Sequence, residues 1–285
     1  MKNNSVLCGS VENLTESLDN DSIDTIITSP PYYKQREYGS DVGAEIGREK
    51  TPDEYVARLQ RVFSSLRPKL KPSGTLWLNL GDKYHGKHQL GLPWRVALAL
   101  MEDGWILRSD VIWHKPNAMP QSVKDRLATD HEYIFLFSKS PNYYFDWEAI
   151  KEPYVTLSDA SKMRGGRGHF GKNKGTPGEG KYGGLQGLHK GDWSKTFHAG
   201  GRRKRSVWSV PISKYKGAHF AVFPEKLIRT CVIAGCPVDG TVLDPFFGVG
   251  TTGVVCIQER RNYIGFELQR EYAEIAERRL QGLLI

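Results

Sequence analysis

The chain has 285 residues, 39% of them hydrophobic and 25% charged, with 40 Lys+Arg against 32 Asp+Glu for a formal net charge of +8. This is the composition of a soluble globular chain, long enough for one large domain or two small ones. No run of 18 apolar residues occurs, and Met1–Ser10 lacks the basic-then-apolar layout of a signal peptide; no membrane partner is expected, and the expected compartment is the cytoplasm. Cys8, Cys231, Cys236 and Cys256 form neither a C-x-x-C pair nor a dense disulfide pattern, so reduced thiols without zinc are expected.

In chain order, Ser5–Cys8 reads as a short strand, and Ile23–Thr28, apolar and β-branched, as a buried strand that stops at Ser29-Pro30-Pro31. Thr51 as N-cap, Pro52 at the first helical position and Glu54 closing a capping box predict a helix with Tyr55, Val56, Leu59, Val62, Phe63 and Leu66 on one face. Leu70–Gly74 reads as a turn, Thr75–Leu80 as a strand ending at Gly81-Asp82, and Pro93–Glu102 as a second helix closed by Gly104. Two strands follow, Trp105–His114 and Glu132–Ser138, the latter with Tyr133, Phe135 and Phe137 on one side and Ile134 and Leu136 on the other.

Near the carboxyl end a helix is predicted from Phe223-Pro224-Glu225 to Gly235, a strand at Thr241–Leu243, a loop at 244–250 and a helix at Thr251–Glu259. A strand at Asn262–Phe266 and a helix at Glu271–Leu283 complete the pattern. Alternating strands and helices predict a parallel α/β sheet covered on both faces.

The positive charge is local. Ser161–Arg205 holds 12 Lys+Arg against Glu179 and Asp192, a net of +10, and leaves −2 on the rest of the chain. The same stretch carries 13 of the 30 glycines and cannot be ordinary packed helix or strand. A charge run by itself reads as a flexible linker. Tyr182, Trp193 and Phe197 lie among these charges, and basic plus aromatic side chains on pliable backbone suit phosphates and bases, which makes nucleic acid the leading partner class.

Gly248-Val249-Gly250-Thr251-Thr252-Gly253 is a G-x-G-x-x-G between a strand and a helix, and Glu267 ends the next strand 19 residues beyond Gly248. Such glycines let backbone approach a ligand, and an acid in that place accepts from ribose hydroxyls, so an adenosine-type cofactor is expected. Only 18 residues follow Glu267, too few for the second half of a nicotinamide domain, so the other strands must come from the amino-terminal part. The bulky Phe246-Phe247 pair fits an adenosine-plus-amino-acid ligand better than a diphosphate.

Thr28-Ser29-Pro30-Pro31-Tyr32 follows a strand directly. Two prolines remove two backbone donors, so the Ser29 hydroxyl and the Pro30 carbonyl are presented as acceptors beside the flat ring of Tyr32. Ser-Pro-Pro also occurs in linkers; at the carboxyl end of a parallel strand, where ligands bind, a site is the better reading. An exocyclic amino group of a nucleobase offers two N–H donors and a nitrogen lone pair delocalised into the ring. Accepting from both N–H groups favours pyramidal nitrogen and frees that lone pair.

The Ser-Pro-Pro-Tyr and Asp-Pro-Phe-Phe-Gly-Val-Gly-Thr-Thr motifs, in that order, resemble those of the β-class DNA amino-methyltransferases. So do Ile46-Gly47-x-Glu49-x-Thr51-Pro52-x-Glu54-Tyr55, Gly74-Thr75-Leu76-Trp77, His131-Glu132-Tyr133-Ile134-Phe135 and His219-Phe220-Ala221-Val222-Phe223-Pro224-Glu225. The resemblance implies a doubly wound, mostly parallel α/β sheet of the S-adenosylmethionine-dependent methyltransferase type, permuted in motif order. It implies Ser29, Pro30, Pro31 and Tyr32 as the catalytic tetrapeptide. It implies Asp244, Phe246, Gly248, Gly250, Thr251 and Thr252 as the cofactor loop, Glu267 as the ribose acid and Phe220 as part of a segment closing over the methionine end.

Residues 1–150 are then the catalytic half, 151–205 a target-recognition insertion and 206–285 the cofactor half. Arg164, Arg167, Lys172, Lys174, Arg202, Arg203, Lys204 and Arg205 are the DNA-binding candidates, and duplex DNA is the expected partner. Ser at the first catalytic position associates with N4 of cytosine, as Asp does with N6 of adenine; either acceptor serves either amino group, so both targets stay open. A cognate restriction endonuclease and a homodimer are compatible with this reading.

Other classes fit less well. Methylation at cytosine C5 needs a nucleophilic cysteine, and Cys236-Pro237 follows a helix away from any base-binding motif. His85 and His88 lack a clear third ligand, so they read as a solvated loop and no metal is expected. Asp82 reads either as facing the pocket or as a cap. A nicotinamide oxidoreductase, a catalytically silent DNA-binding module and an Asn-Pro-Pro-Tyr RNA or protein methylase are the competing functions.

Overall fold

Every residue of Ile23–Thr28 is buried, and a strand with no solvent face must lie between two others with helices above and below. The structure is a computed structural model that describes residues 3–35, 45–153, 201–212 and 223–283. Its strands are β1 Ser5–Cys8, β2 Ile23–Thr28, β3 Leu70–Leu80, β4 Tyr84–His85, β5 His88–Gln89, β6 Ile106–His114, β7 His131–Ser138, β8 Val207–Ser209, β9 Thr241–Asp244 and β10 Asn262–Glu267. Its α-helices are α1 Val11–Leu14, α2 Pro52–Leu66, α3 Leu92–Glu102, α4 Glu225–Gly235, α5 Thr251–Gln258 and α6 Arg270–Gln281.

Among the described residues one sheet runs β1-β10-β9-β2-β3-β7-β6-β8, and β4 and β5 form a separate hairpin. The five strands from β1 to β3 are mutually parallel. β7 is antiparallel to both β3 and β6, so the expected sheet is mostly, not wholly, parallel. From β2 the chain leads to β3 on one side, and from β9 to β10 on the other. The boundary between β2 and β9 is therefore the crossover at which open α/β sheets bind ligands, beyond the strands' carboxyl ends.

One face of the sheet presents Ile26, Leu76, Leu78, Phe135, Phe137 and Leu243 to α2 and α3. Thr51 caps α2 through the full capping box with Glu54, as its sequence predicts. On the other face α4 approaches so closely that a Cβ on Gly235 would lie 2.5 Å from Trp77 Nε1. That strand-to-helix distance leaves room for no side chain.

Leu70–Gly74 is not a turn. It begins β3, with Leu70 fully buried opposite Ile23 and a register shift between Ile23 and Thr25 that absorbs the extra residues. Proline and glycine in that stretch suggest a turn, but the bulge accommodates both. The helix α1, the β4–β5 hairpin containing His85 and His88, and β8 had no periodic signal, being two to four residues long. No helix among the described residues is long and apolar enough to cross a membrane.

By internal contacts the chain divides into residues 1–146 with 205–285, and residues 147–204. In the second unit, Glu152 and Arg202 form an antiparallel bridge, and the Glu152 carboxylate accepts from Lys204 at 2.9 Å and Arg202 at 3.4 Å. Lys151 and Arg203 lie over the Trp147 ring at 4.5 and 4.6 Å.

Candidate active site

A cavity of about 600 Å³, within the size range of small-molecule sites, opens at the crossover. Ser29, Pro30, Pro31 and Tyr32 line it from the end of β2, Phe246 and Gly248 from the loop after β9, Thr251 from the start of α5 and Glu267 from the end of β10. The two motifs, more than 200 residues apart, thus share one cavity because β2 and β9 are neighbours. A hydrogen bond fixes this: Thr28 Oγ1 donates to Asp244 Oδ1 at 2.6 Å.

Asp244, Gly250 and Thr252, expected in the cofactor loop, lie behind the cavity wall. Asp244 is 1% exposed and accepts from Thr28, from Thr252 Oγ1 at 2.5 Å and from the Phe246 amide at 3.1 Å. Burial pushes its carboxyl up to about 6 against the pull of these donors. Gly250 has φ +81° and packs against Ala276, where a Cβ would sit 3.0 Å from the Ala276 Cβ. These three residues shape the loop; Gly248 and Glu267 face the cavity.

Glu267 Oε2 accepts from the Gly248 amide at 2.7 Å and Oε1 from the Gln269 amide at 2.9 Å. Burial raises its carboxyl above the usual range, and the backbone donors oppose that rise. Gly248 stands at φ +53° with nothing among the described residues within 4 Å of where a Cβ would be, which leaves space above the loop. Gln269, also on the cavity, has its Nε2 buried without a partner among the described residues, a donor available to a ligand. Of the phenylalanine pair, Phe246 is partly exposed, whereas Phe247 is buried and stacks on Tyr263 with ring centroids 5.8 Å apart.

At the other end, Asn79 on β3 points Nδ2 at the Tyr32 hydroxyl (2.8 Å), Glu132 Oε2 (3.0 Å) and Ser29 Oγ (3.2 Å). Tyr32 Oη donates to Glu132 Oε2 at 2.7 Å, and Lys115 Nζ pairs with Glu132 Oε1. Burial, then the Glu132 charge, raises the Tyr32 phenol well above its ordinary value. The Tyr32 ring lies against Gly81, where a Cβ would be 2.6 Å from its Cε2. The Pro31 carbonyl is taken by the Tyr55 hydroxyl at 3.0 Å, whereas among the described residues no donor reaches that of Pro30.

Cys236 caps α4 and is fully buried, its thiol pushed up to about 12 by burial, and it does not line the cavity. A thiolate nucleophile is therefore not available there. Asp82 is a cap: its carboxylate accepts from the amides of Gly91 and Leu92, both at 3.0 Å, at the start of α3. No group of three or more metal-ligating side chains occurs among the described residues.

The family model described as DNA methylase matches residues 23–278. The chain belongs to the DNA methylase family. It is 38% identical to the Type II methyltransferase M.SmaI of Serratia marcescens, over 96% of this chain and 90% of that protein. It is 39% identical to M.Cfr9I of Citrobacter freundii, over 96% and 86%. The fold is similar to that of the PvuII DNA methyltransferase, described as cytosine-N4-specific (TM-score 0.69, 21% identity, covering 99% of this chain and 92% of that one). It is also similar to a DNA modification methylase of Thermus thermophilus solved with S-adenosyl-L-methionine (TM-score 0.63, 22% identity, covering 98% and 95%). The resemblance to DNA amino-methyltransferases, drawn from the motifs, is borne out.

In this DNA methylase Phe220, Arg164, Arg167, Lys172 and Lys174 lie outside the described residues. Arg202 and Lys204 are engaged by Glu152 and Arg203 by Trp147, while the Arg205 carbonyl accepts from Trp208 Nε1 at 2.6 Å. Asn79, Lys115 and Glu132 join the site although they stand outside both the tetrapeptide and the glycine loop. Two signals point toward them: Asn79 is polar within the apolar run Leu76–Leu80 at the end of β3, and Glu132 lies in the His131–Phe135 motif.

Proposed function

We propose that this DNA methylase transfers a methyl group to the exocyclic N4 of a cytosine extruded from duplex DNA, with S-adenosylmethionine as donor. The observation that carries the reading is that Ser29 and Glu267 line one cavity whose two strands are tied by the Thr28–Asp244 hydrogen bond. S-adenosylmethionine, when bound, supplies a methyl group made electrophilic by its positively charged sulfur.

The residues fit that donor: Glu267 keeps lone pairs for ribose hydroxyls, Gly248 leaves open space, and the unpartnered Gln269 Nε2 is a ready hydrogen-bond donor. Ser29 Oγ and the Pro30 carbonyl accept from the two N–H groups of the base and free its nitrogen lone pair. Tyr32 offers its ring to the base, an interaction worth about 1–3 kcal/mol that helps offset unstacking. Residues 151–205 serve as target-recognition insertion. Their basic side chains, Arg164, Arg167, Lys172, Lys174, Arg202, Arg203, Lys204 and Arg205, hold phosphates.

Cytosine N4 is favoured over adenine N6 by serine at the first catalytic position and by the cytosine-N4 specificity of the structurally similar PvuII enzyme. The test is nucleoside mass spectrometry of DNA incubated with the protein and S-adenosylmethionine. N4-methyldeoxycytidine is the expected product; N6-methyldeoxyadenosine instead overturns the choice of base, and no methylated nucleoside overturns the activity.

A further inference from the structure

An amino nitrogen that takes a methyl group must shed a proton, and neither motif presents a base to the cavity, since Asp244 is buried behind its wall. Ser29 is an alcohol. Its neighbour Asn79 is an amide whose nitrogen donates to Ser29 Oγ at 3.2 Å. That amide orientation is set by Glu132, whose Oε2 accepts from the same Nδ2 at 3.0 Å, even though it leaves Asn79 Oδ1 buried without a partner among the described residues. With Asn79 donating to Ser29, the serine proton is directed at Tyr32 Oη, 3.3 Å away, and the tyrosine proton at Glu132 Oε2, 2.7 Å away. Ser29, Tyr32 and Glu132 therefore form one directed chain of donors ending on a carboxylate, whose other oxygen is held by Lys115.

We infer that this chain carries the proton away from the methylated amino group and that Glu132 is its acceptor, a reading that rests on the methyl transfer proposed above. As the new N–C bond forms, the methyl–sulfur bond of the donor breaks and leaves a neutral thioether, and nitrogen carries a surplus proton; that proton passes to Ser29 Oγ, the serine proton to Tyr32 Oη and the tyrosine proton to Glu132 Oε2. Ser29 and Tyr32 end neutral as they began, and Glu132 ends as a carboxylic acid beside the Lys115 ammonium until solvent takes the proton.

Tyr32 relays and does not ionise, since burial and the Glu132 charge both oppose a phenolate. Gly81 makes room for the ring that aims this hydroxyl. The titratable groups around Glu132 are Lys115 at the end of β6, Tyr32 after β2, and His131 beside it on β7. The His131 ring is edge-on to Tyr133 with Nδ1 toward Asp130, and His114, its partner in register on β6, also lies near Asp130.

The experiment is single-turnover methyl transfer at saturating DNA and S-adenosylmethionine, measured in ordinary and in heavy water for the wild type, Tyr32→Phe, Glu132→Gln and the double variant. Tyr32→Phe keeps the ring and loses the relay. Each single variant is expected to slow the step on the order of 100-fold, the scale of positioned acid–base catalysis, with affinity for DNA and cofactor unchanged. The double variant should be no slower than either single one. The wild-type step should be slower in heavy water, because protons move along the chain within it, and Glu132→Gln should lose that slowing, a change that a purely structural role would not produce.

Tyr32→Phe reacting at the wild-type rate, or Glu132→Gln keeping the slowing in heavy water, overturns the relay. Should Glu132→Gln fail to fold, Tyr32→Phe decides alone. A wild type that methylates no base in the same assay fails the proposed function and takes the relay with it; a methylating wild type with an unimpaired Tyr32→Phe fails the relay alone.

Discussion

Glu267 and Glu132 both line the cavity, yet they are held by different means. Glu267 is fixed by two backbone amides, those of Gly248 and Gln269. Glu132 is fixed by three side chains, Tyr32, Asn79 and Lys115, brought from three separate parts of the sheet. Backbone donors are set by the fold of the main chain and require no side-chain ordering, so the Glu267 end is suited to holding a ligand in a constant pose. A side-chain network can redistribute its protons and contacts when a substrate enters, which suits the end where chemistry changes the protonation of a reacting group. Lesions at the Glu132 end should therefore act on rate, and lesions at the Glu267 end on affinity and stability.

Ser29→Ala should break the comparison most visibly if it is wrong. The variant removes an acceptor that matters most when the amino nitrogen becomes pyramidal. Turnover should therefore fall about 10²–10³-fold, or about 3–4 kcal/mol of barrier, with cofactor affinity measured by calorimetry unchanged. Loss of cofactor affinity at undiminished turnover would place Ser29 with the holding end instead.

Asp244 joins the two ends through Thr28, and its effect is a stability effect. Its carboxyl, raised from 3.8 to about 6 by burial, binds a proton more tightly in the folded state than in the unfolded one. A raised carboxyl favours the fold fully below the unfolded value, and the advantage is lost as pH rises through the folded value. Between 3.8 and about 6 this amounts to about 3 kcal/mol. Asp244→Asn cannot titrate there, so the stability of the wild type relative to this variant should fall by that amount as pH rises through the window. Urea unfolding at several pH values measures it; a flat difference would mean that the buried carboxyl keeps its ordinary value.

The two ends also differ in how readable they are. The glycine loop and Glu267 are legible because their spacing along the chain is their geometry: a strand, a turn with Gly248 in the left-handed region, a helix, and an acid at the next strand end. Ser29 and Tyr32 are legible for the same reason. Asn79, Lys115 and Glu132 become one cluster only when β3 lies between β2 and β7, and no local spacing encodes that order. The sequence likewise marks Asp244 and Thr252 as part of the loop without telling that they lie behind it, since Thr252 turns back from the first turn of α5 to donate to Asp244, which also accepts from Thr28 on the neighbouring strand.

Gly265 sharpens the comparison at the holding end with the smallest change. A Cβ at this position on β10 would lie 2.3 Å from Phe247 Cγ and 2.5 Å from both adjacent ring carbons. The ring cannot swing clear. It is buried, stacked on Tyr263, and carried by a backbone whose Phe247 amide donates to the Phe266 carbonyl at 2.8 Å. Gly265→Ala should therefore cost about 1–3 kcal/mol of stability through overpacking. The displaced Phe247 lies between Phe246 and Gly248, so the loop should bind cofactor more weakly while the bound complex still transfers its methyl group at the wild-type rate. A variant that keeps its affinity and loses the chemical step would show that the two ends are one mechanical unit, with the Thr28–Asp244 hydrogen bond as the coupling between them.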